Sequence, residues 1–299
     1  MSTTTTPSTP TATGAVAGTI ASTRAELLRL RRWPAVWITI GAWMALTTLF
    51  GYLFNYLSYK TGDTSFSNEG ETSQSLLAEL LPGYIPHVFI QGMPMFGGAL
   101  MMLLGAIVAG NGYGWGTWKT VFTQGPSRTS VVLGSLAATT LAVVGVVLAT
   151  LAMSFGISSA VAVSESQTIA WPSLGAVAAA VGAGFLVLEM WMLAGFLLGT
   201  VARGPALSVG LGLVWALVLE NLLRGVGTLL DPIEAFTRVL PGTAAGSLVG
   251  SLIEASPGGD GTPGVLDTLS GAQATGTVVA YVLLLPLATI ALIRRRDVA

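Results

Sequence analysis

Residues 174–200 read LGAVAAAVGAGFLVLEMWMLAGFLLGT, twenty-seven positions with one charge, Glu189. A helix of that length runs about 40 Å, more than the ~30 Å of hydrocarbon that some 20 apolar residues cross. Comparable stretches lie at about 34–58, 88–110, 130–162, 205–229 and 273–293. The mean hydropathy is +0.74 and only 9% of residues are charged, where soluble domains carry about a quarter. The pattern predicts an all-α integral membrane protein with six transmembrane helices. Cysteine is absent, which excludes disulfides, thiolate metal sites and cysteine nucleophiles.

Charge sorts by loop. With the N-terminus in the cytoplasm, Arg24, Arg29, Arg31, Arg32, Lys119, Arg128, Arg203, Arg294, Arg295 and Arg296 fall inside, and only Lys60, Arg224 and Arg238 fall outside. The acids Asp63, Glu69, Glu71, Glu79, Glu165, Asp231, Glu234, Glu254, Asp260 and Asp267 all fall on the far side. This is the positive-inside pattern, and an odd number of spans would scramble it; both termini are expected to be cytoplasmic. No charge precedes residue 24 and the first apolar stretch is too long for a signal-peptide core, so the first span is expected to stay.

Residues 1–22 read as a disordered Ser/Thr/Pro-rich cytoplasmic tail, and 23–299 as one six-helix domain. The segment RAELLRLRRW sets Leu27, Leu28 and Leu30 near one face and Arg24, Glu26, Arg29, Arg31 and Arg32 among them. It predicts an amphipathic helix lying in the membrane interface, with a bend at Pro34 into the first span. On the far side a short helix is expected over 74–81. The Pro/Gly-rich segment of about 231–273 carries too few apolar residues to span, and predicts short re-entrant or outer helices before the last span. Gly195 and Gly199 have the spacing that lets helices approach closely in lipid.

The inner loop from Gly110 to Arg128 reads GNGYGWGTWKTVFTQGPSR. A Gly/aromatic hinge leads into a short amphipathic helix over about 117–122, and Gly125-Pro126-Ser127 ends it and caps the next helix. Here the chain resembles the permease subunits of the ABC-2 class of ATP-binding cassette transporters. The resemblance rests on Tyr113, Trp115-Gly116-Thr117 with Lys119, and Gly125-Pro126-Ser127-Arg128. It extends across most of the chain, through the basic amphipathic helix, the Trp-Pro step into the first span, six spans and the broken outer segment. It implies a bacterial cytoplasmic-membrane protein, two protomers of the same or homologous kind, and a separate ATPase subunit that carries ATP and magnesium. It also implies that Tyr113, Trp115, Gly116, Thr117, Lys119, Pro126, Ser127 and Arg128 contact that ATPase. The family often has an acid just before the aromatic, where this chain has Asn111-Gly112.

No phosphate loop ending in Gly-Lys-Ser/Thr occurs, so ATP hydrolysis by this chain alone is not expected. With one histidine, His87, and no cysteine, a zinc hydrolase is excluded and a Ser/His protease has no supporting motif. No metal or cofactor and no nucleic-acid partner are expected; membrane lipids are. Glu189 and Glu220, with Asn221 beside the latter, lie inside spans. A central charge costs about 2.5–3.5 kcal/mol to insert, so these residues are expected to face the bundle interior, in hydrogen bonds or ion pairs between helices or along a substrate or proton path, with snorkelling to the outer surface a further reading for Glu220. The spans hold few other polar groups, which favours an apolar path or a lateral lipid gate for a hydrophobic or amphipathic solute, and the resemblance implies that the solute is exported. The alternatives are an ion-gradient transporter using Glu189 and Glu220, and a membrane scaffold or immunity protein.

Overall fold

The computed structural model describes residues 12–62, 72–123, 127–227, 229–253 and 262–295. Among them there is no strand, and six helices are long and apolar enough to cross a membrane: Pro34–Thr61, Met93–Gly114, Arg128–Ser164, Leu174–Ala202, Pro205–Gly227 and Gly271–Arg295. The architecture is that of a multi-pass membrane protein. We call these helices the first to sixth spans. The remaining helices are α1 (Ala12–Arg32), α2 (Ser73–Leu80), α3 (Ile85–Gln91), α4 (Thr117–Thr123), α5 (Asp231–Thr237) and α6 (Pro241–Gly250).

The helix α1 starts at Ala12, inside the stretch read from sequence as a disordered tail, and residues 1–11 lie outside the described set. Its small residues explain the difference. Ser22 and Thr23 lie so close to Gly134 of the third span that a side chain there would strike them, and Ser130 donates a hydrogen bond to the Ala15 carbonyl at 3.3 Å. Serine, threonine and alanine have little to bury alone, but they suit a helix that lies flat on another one.

The second span is broken where the sequence suggested one continuous helix. The helix α3 precedes it, and a π-helical turn covers Met93–Gly97. Pro94 lacks an amide proton, which widens the turn at that point. Similar π turns interrupt the first span at Leu49–Leu53 and the fifth at Val214–Leu219, the latter directly before Glu220.

The core is the contact between the second and fourth spans, and glycine makes it. A Cβ on Gly199 would lie 2.7 Å from the Ala106 carbonyl oxygen, and one on Gly195 would overlap the Met102 carbonyl. Met101, Met102, Val187, Leu188 and Phe196 fill the surrounding space, each essentially inaccessible. The Gly195/Gly199 pair therefore works within one chain. The fifth and sixth spans are far less covered, with Leu207, Leu211, Val218, Leu283, Leu284 and Leu287 all exposed, a surface suited to hydrocarbon.

The two ends of the bundle differ in charge. At one end lie α1, α4, the turn at Arg203 and the last turn of the sixth span, with Arg24, Arg31, Arg32, Lys119, Arg128, Arg203, Arg294 and Arg295. The other end holds α2, α5, α6, Glu79 and Glu165. Asp63, Glu69, Glu71, Glu254, Asp260 and Arg296 fall outside the described residues. The helix α2 runs one residue ahead of the expected 74–81, because Thr72 and Ser75 cap each other's backbone amides at 3.2 and 3.0 Å. As expected, the segment before the last span contains short helices. α6 is covered on all sides, with Thr243 to Val249 buried, and Leu266 donates its amide to the Gly246 carbonyl at 3.1 Å.

At the acidic end Glu165 ties the third span to the first. It accepts from Lys60 at 2.7 Å, from Tyr56 at 2.8 Å and from Tyr59 at 3.2 Å. The Lys60 ammonium, and after it the Tyr56 hydroxyl, hold the Glu165 carboxyl below its ordinary value of 4.5. A pKa lower in the folded state means that the tie stabilises above the unfolded value and is lost as pH falls through the native one. Thermal melts taken from neutral pH to below 4.5 should therefore show the wild type losing more stability than Glu165→Gln. Parallel curves would mean that the tie contributes nothing.

Candidate functional site

At the basic end the second span closes on a compact aromatic assembly. Trp115 donates its amide to the Asn111 carbonyl at 3.0 Å, and Gly116, with φ of +66°, reverses the chain into α4. A side chain at this φ would be strained, so the glycine is required for the reversal. α4 is then pinned by Trp118. Its indole fills the notch left by Gly112, donates to the Ala109 carbonyl at 3.2 Å and stacks on Phe122 with ring centres 5.5 Å apart. The Arg128 guanidinium lies 5.8 Å over the same Phe122 ring, and Ser127 caps the third span by accepting from the Ser130 amide at 3.1 Å.

Trp115 stays 65% exposed. It meets Trp33 edge-on at 5.9 Å, and the Arg29 guanidinium stands 5.4 Å over the Trp33 ring. Lys119 is exposed, whereas Tyr113 is half-buried against Trp118 at 6.2 Å. The structure thus brings Tyr113, Trp115, Gly116, Thr117, Lys119, Ser127 and Arg128 into one assembly; Pro126 lies outside the described residues. The sequence reading missed Trp118 and Trp33, which anchor and back the assembly. Gly112, six residues before Trp118, was the available signal for the first. Contacts from this corner reach the second span through Trp118, the third through Arg128, and the start of the first from Trp115 through Trp33.

The polar residues of α1 divide. Arg24, Arg31 and Arg32 are exposed, whereas Glu26 and Arg29 pair with each other and turn inward. Ser135 donates to Glu26 at 3.4 Å and Arg29 to the Val108 carbonyl at 3.4 Å. Burial pushes the Glu26 carboxyl above its ordinary value, opposed by Arg29.

The two acids inside the spans have separate surroundings. Glu189, 3% exposed, accepts from Thr140 of the third span at 2.6 Å, and its second oxygen is buried without a partner. Glu220 is fully buried. It accepts from the Trp215 indole at 2.7 Å and stands 3.8 Å from Arg224. Arg224 also donates to Asn221 at 2.6 Å and to Thr243 of α6 at 3.4 Å. The second oxygen of Glu220 rests on Gly242 in the first turn of α6, where any side chain would strike it. Like the second oxygen of Glu189 it has no hydrogen-bond partner, so its contact with α6 is one of close packing. Trp191 lies beside Gly242, and at 100° per residue it faces about 200° away from Glu189. The sequence placed Glu220 beside Asn221 and Arg224 but gave no sign of Trp215 or Gly242. Among the described residues no three His, Cys, Asp or Glu side chains gather as metal ligands.

The fold and this geometry define the class: a multi-pass helical membrane bundle with an anchored helix at its basic end and a buried ion pair under its acidic end. No protein-family model matches the chain, and no curated protein matches it in sequence.

Proposed function

We propose that the chain is the membrane-spanning permease subunit of an ATP-binding cassette transporter of the ABC-2 class, exporting a hydrophobic or amphipathic solute. The observation that carries this reading is the corner at α4: a short helix with Lys119 outward, Trp115 exposed in the turn before it, and Trp118 locking it to the end of the second span. Such a part can receive a push and deliver it to three spans. In this reading the basic end is cytoplasmic, both termini lie there, and α1 lies along the inner interface of a bacterial cytoplasmic membrane with Arg24, Arg31 and Arg32 toward headgroups. A separate ATPase binds ATP and magnesium, presses on the segment from Tyr113 to Arg128, and drives two permease protomers between their conformations. α5 and α6 form the outer cap through which solute leaves.

The test is purification of the protein from its native membranes in mild detergent, followed by mass spectrometry of the chains that accompany it. An ATPase bearing a phosphate loop is expected, and more than about tenfold less of it with Trp115→Ala/Lys119→Ala, since exposed aromatic anchors dominate such contacts. Recovery of folded protein without an ATPase would sink the reading. The unpartnered oxygen of Glu189 favours one second reading, a gradient-driven transporter. There Glu189→Gln stops transport and no ATPase is needed.

A further inference from the structure

Between the first and second spans, in the half of the bundle near its acidic end, lies a cavity of about 250 Å³. Its floor is Trp43, whose indole N–H is already committed to Thr150 at 2.9 Å, so that the ring offers only apolar surface. Higher up stand Phe50 and Phe96, stacked with ring centres 6.4 Å apart and both partly exposed at the side of the bundle. The mouth is polar. Asn55 donates to the Glu79 carboxylate at 3.4 Å, and both residues line the cavity. Trp43 and Asn55 are twelve residues apart on one span, which sets the floor and the mouth about 18 Å apart.

We propose that this cavity binds lipophilic cations, molecules with an aromatic or apolar body and one positive charge. The body lies between Trp43, Phe50 and Phe96, and the charge sits at the mouth beside Glu79 and above the ring faces. Three features select this class. Aromatic faces attract cations as well as apolar groups. Among the described lining residues the ionisable side chain is a carboxylate, Glu79, so a cation gains what an anion of the same shape loses. The gradient from apolar floor to charged mouth follows the axis along which an amphiphile lies in a membrane, and the exposed edge of the Phe50/Phe96 pair lets it enter sideways. The volume is at the small end of ligand pockets, which are about 300–1,000 Å³, so it suits one compact head or ring system.

Thr262 and Pro263, which follow the α6 region, close one wall. They are held there by Gly264, whose φ of +87° sets its backbone against Met95 of the second span. The proposal rests on the permease reading in naming the solute that such a transporter would export, with release coupled to movement of this wall. The binding itself does not depend on that reading.

The test is equilibrium binding to the purified full chain in lipid nanodiscs, with phenyltrimethylammonium, one ring and one charge, as probe and phenyltrifluoroborate as an anion of similar shape. Saturable binding of the cation is expected, without competition from the anion. Glu79→Gln should weaken it about tenfold, as loss of one partly desolvated charge contact implies. Phe96→Ala, at a 40% exposed position where truncation leaves the fold intact, should weaken it at least about threefold. Thermal melts of both variants should match the wild type. Absence of saturable binding, equal competition by the anion, or less than threefold loss in either folded variant overturns the assignment. If the cation binds as stated and no ATPase accompanies the protein, the permease reading falls and the site stands.

Discussion

Gly195→Ala should cost the protein its folded bundle, while Gly182→Ala, on the same span, should cost nothing. A methyl group at Gly195 would occupy the place of the Met102 carbonyl, and that carbonyl belongs to the backbone of the second span. A side chain could rotate away; a helix backbone has to move as a unit. Overpacking a core typically costs about 1–3 kcal/mol. A clash against rigid backbone, at the contact that organises the bundle, should lie at or above the top of that range. Neighbouring glycines make the same approach, with a Cβ on Gly105 only 2.9 Å from the Phe196 amide nitrogen, so separation at one point propagates along the seam. Gly182 has nothing within 4 Å of its Cβ position, and alanine there gains about 0.5–1 kcal/mol of helix preference. Thermal melts and size-exclusion profiles of the two variants in one detergent decide the matter. Equal melting temperatures would show that the seam is looser than these distances state.

Glu220→Ala should release the cap. It removes the acceptor of the Trp215 indole and the carboxylate beside Arg224, whose side chain is only 20% exposed. Deleting one partner of a buried pair costs about 3–5 kcal/mol, because the remaining charge stays buried without compensation. It also removes the group seated on the first turn of α6, whose other tie to this corner is the 3.4 Å contact from Arg224 to Thr243. Glu220→Gln keeps an oxygen for Trp215 and should cost clearly less. Glu220→Ala/Arg224→Met should recover part of the loss, since the stranded charge goes too. Melting temperatures, with limited proteolysis across residues 229–253, separate these outcomes. If alanine and glutamine behave alike at 220, the ion pair is not what holds the cap.

In the permease reading these two sites divide the labour. The glycine seam makes the second and fourth spans one rigid body, which α4 drives from the basic end. The Glu220 corner holds the cap at the other end, close to the wall that closes the proposed cation cavity. The π turns at Met93–Gly97 and Val214–Leu219 lie along that route, and turns of this kind mark places where a helix can change register.

Much of this was legible in the amino-acid order. The six spans, the charge difference between the ends and the short helix over about 117–122 follow from hydropathy, from the placement of arginine and lysine, and from glycine and proline acting as punctuation. Each is a property of a local stretch meeting its solvent, so it can be summed along the chain without knowing the fold. Other features depend on what a residue meets across space. The segment from Ala12 to Ser22 is helical because Gly134 and Ser130 of the third span receive it. Trp118, not the more conspicuous Trp115, anchors α4 because Gly112 leaves room for its ring. Thr47, Asn55 and Glu79 are unremarkable in sequence and share one cavity only when two spans and α2 converge. A bilayer tells the chain which segments to bury but not which faces to join. Inside hydrocarbon all apolar faces are nearly equivalent, and the choice among them passes to close backbone approach and to the few polar groups that need partners.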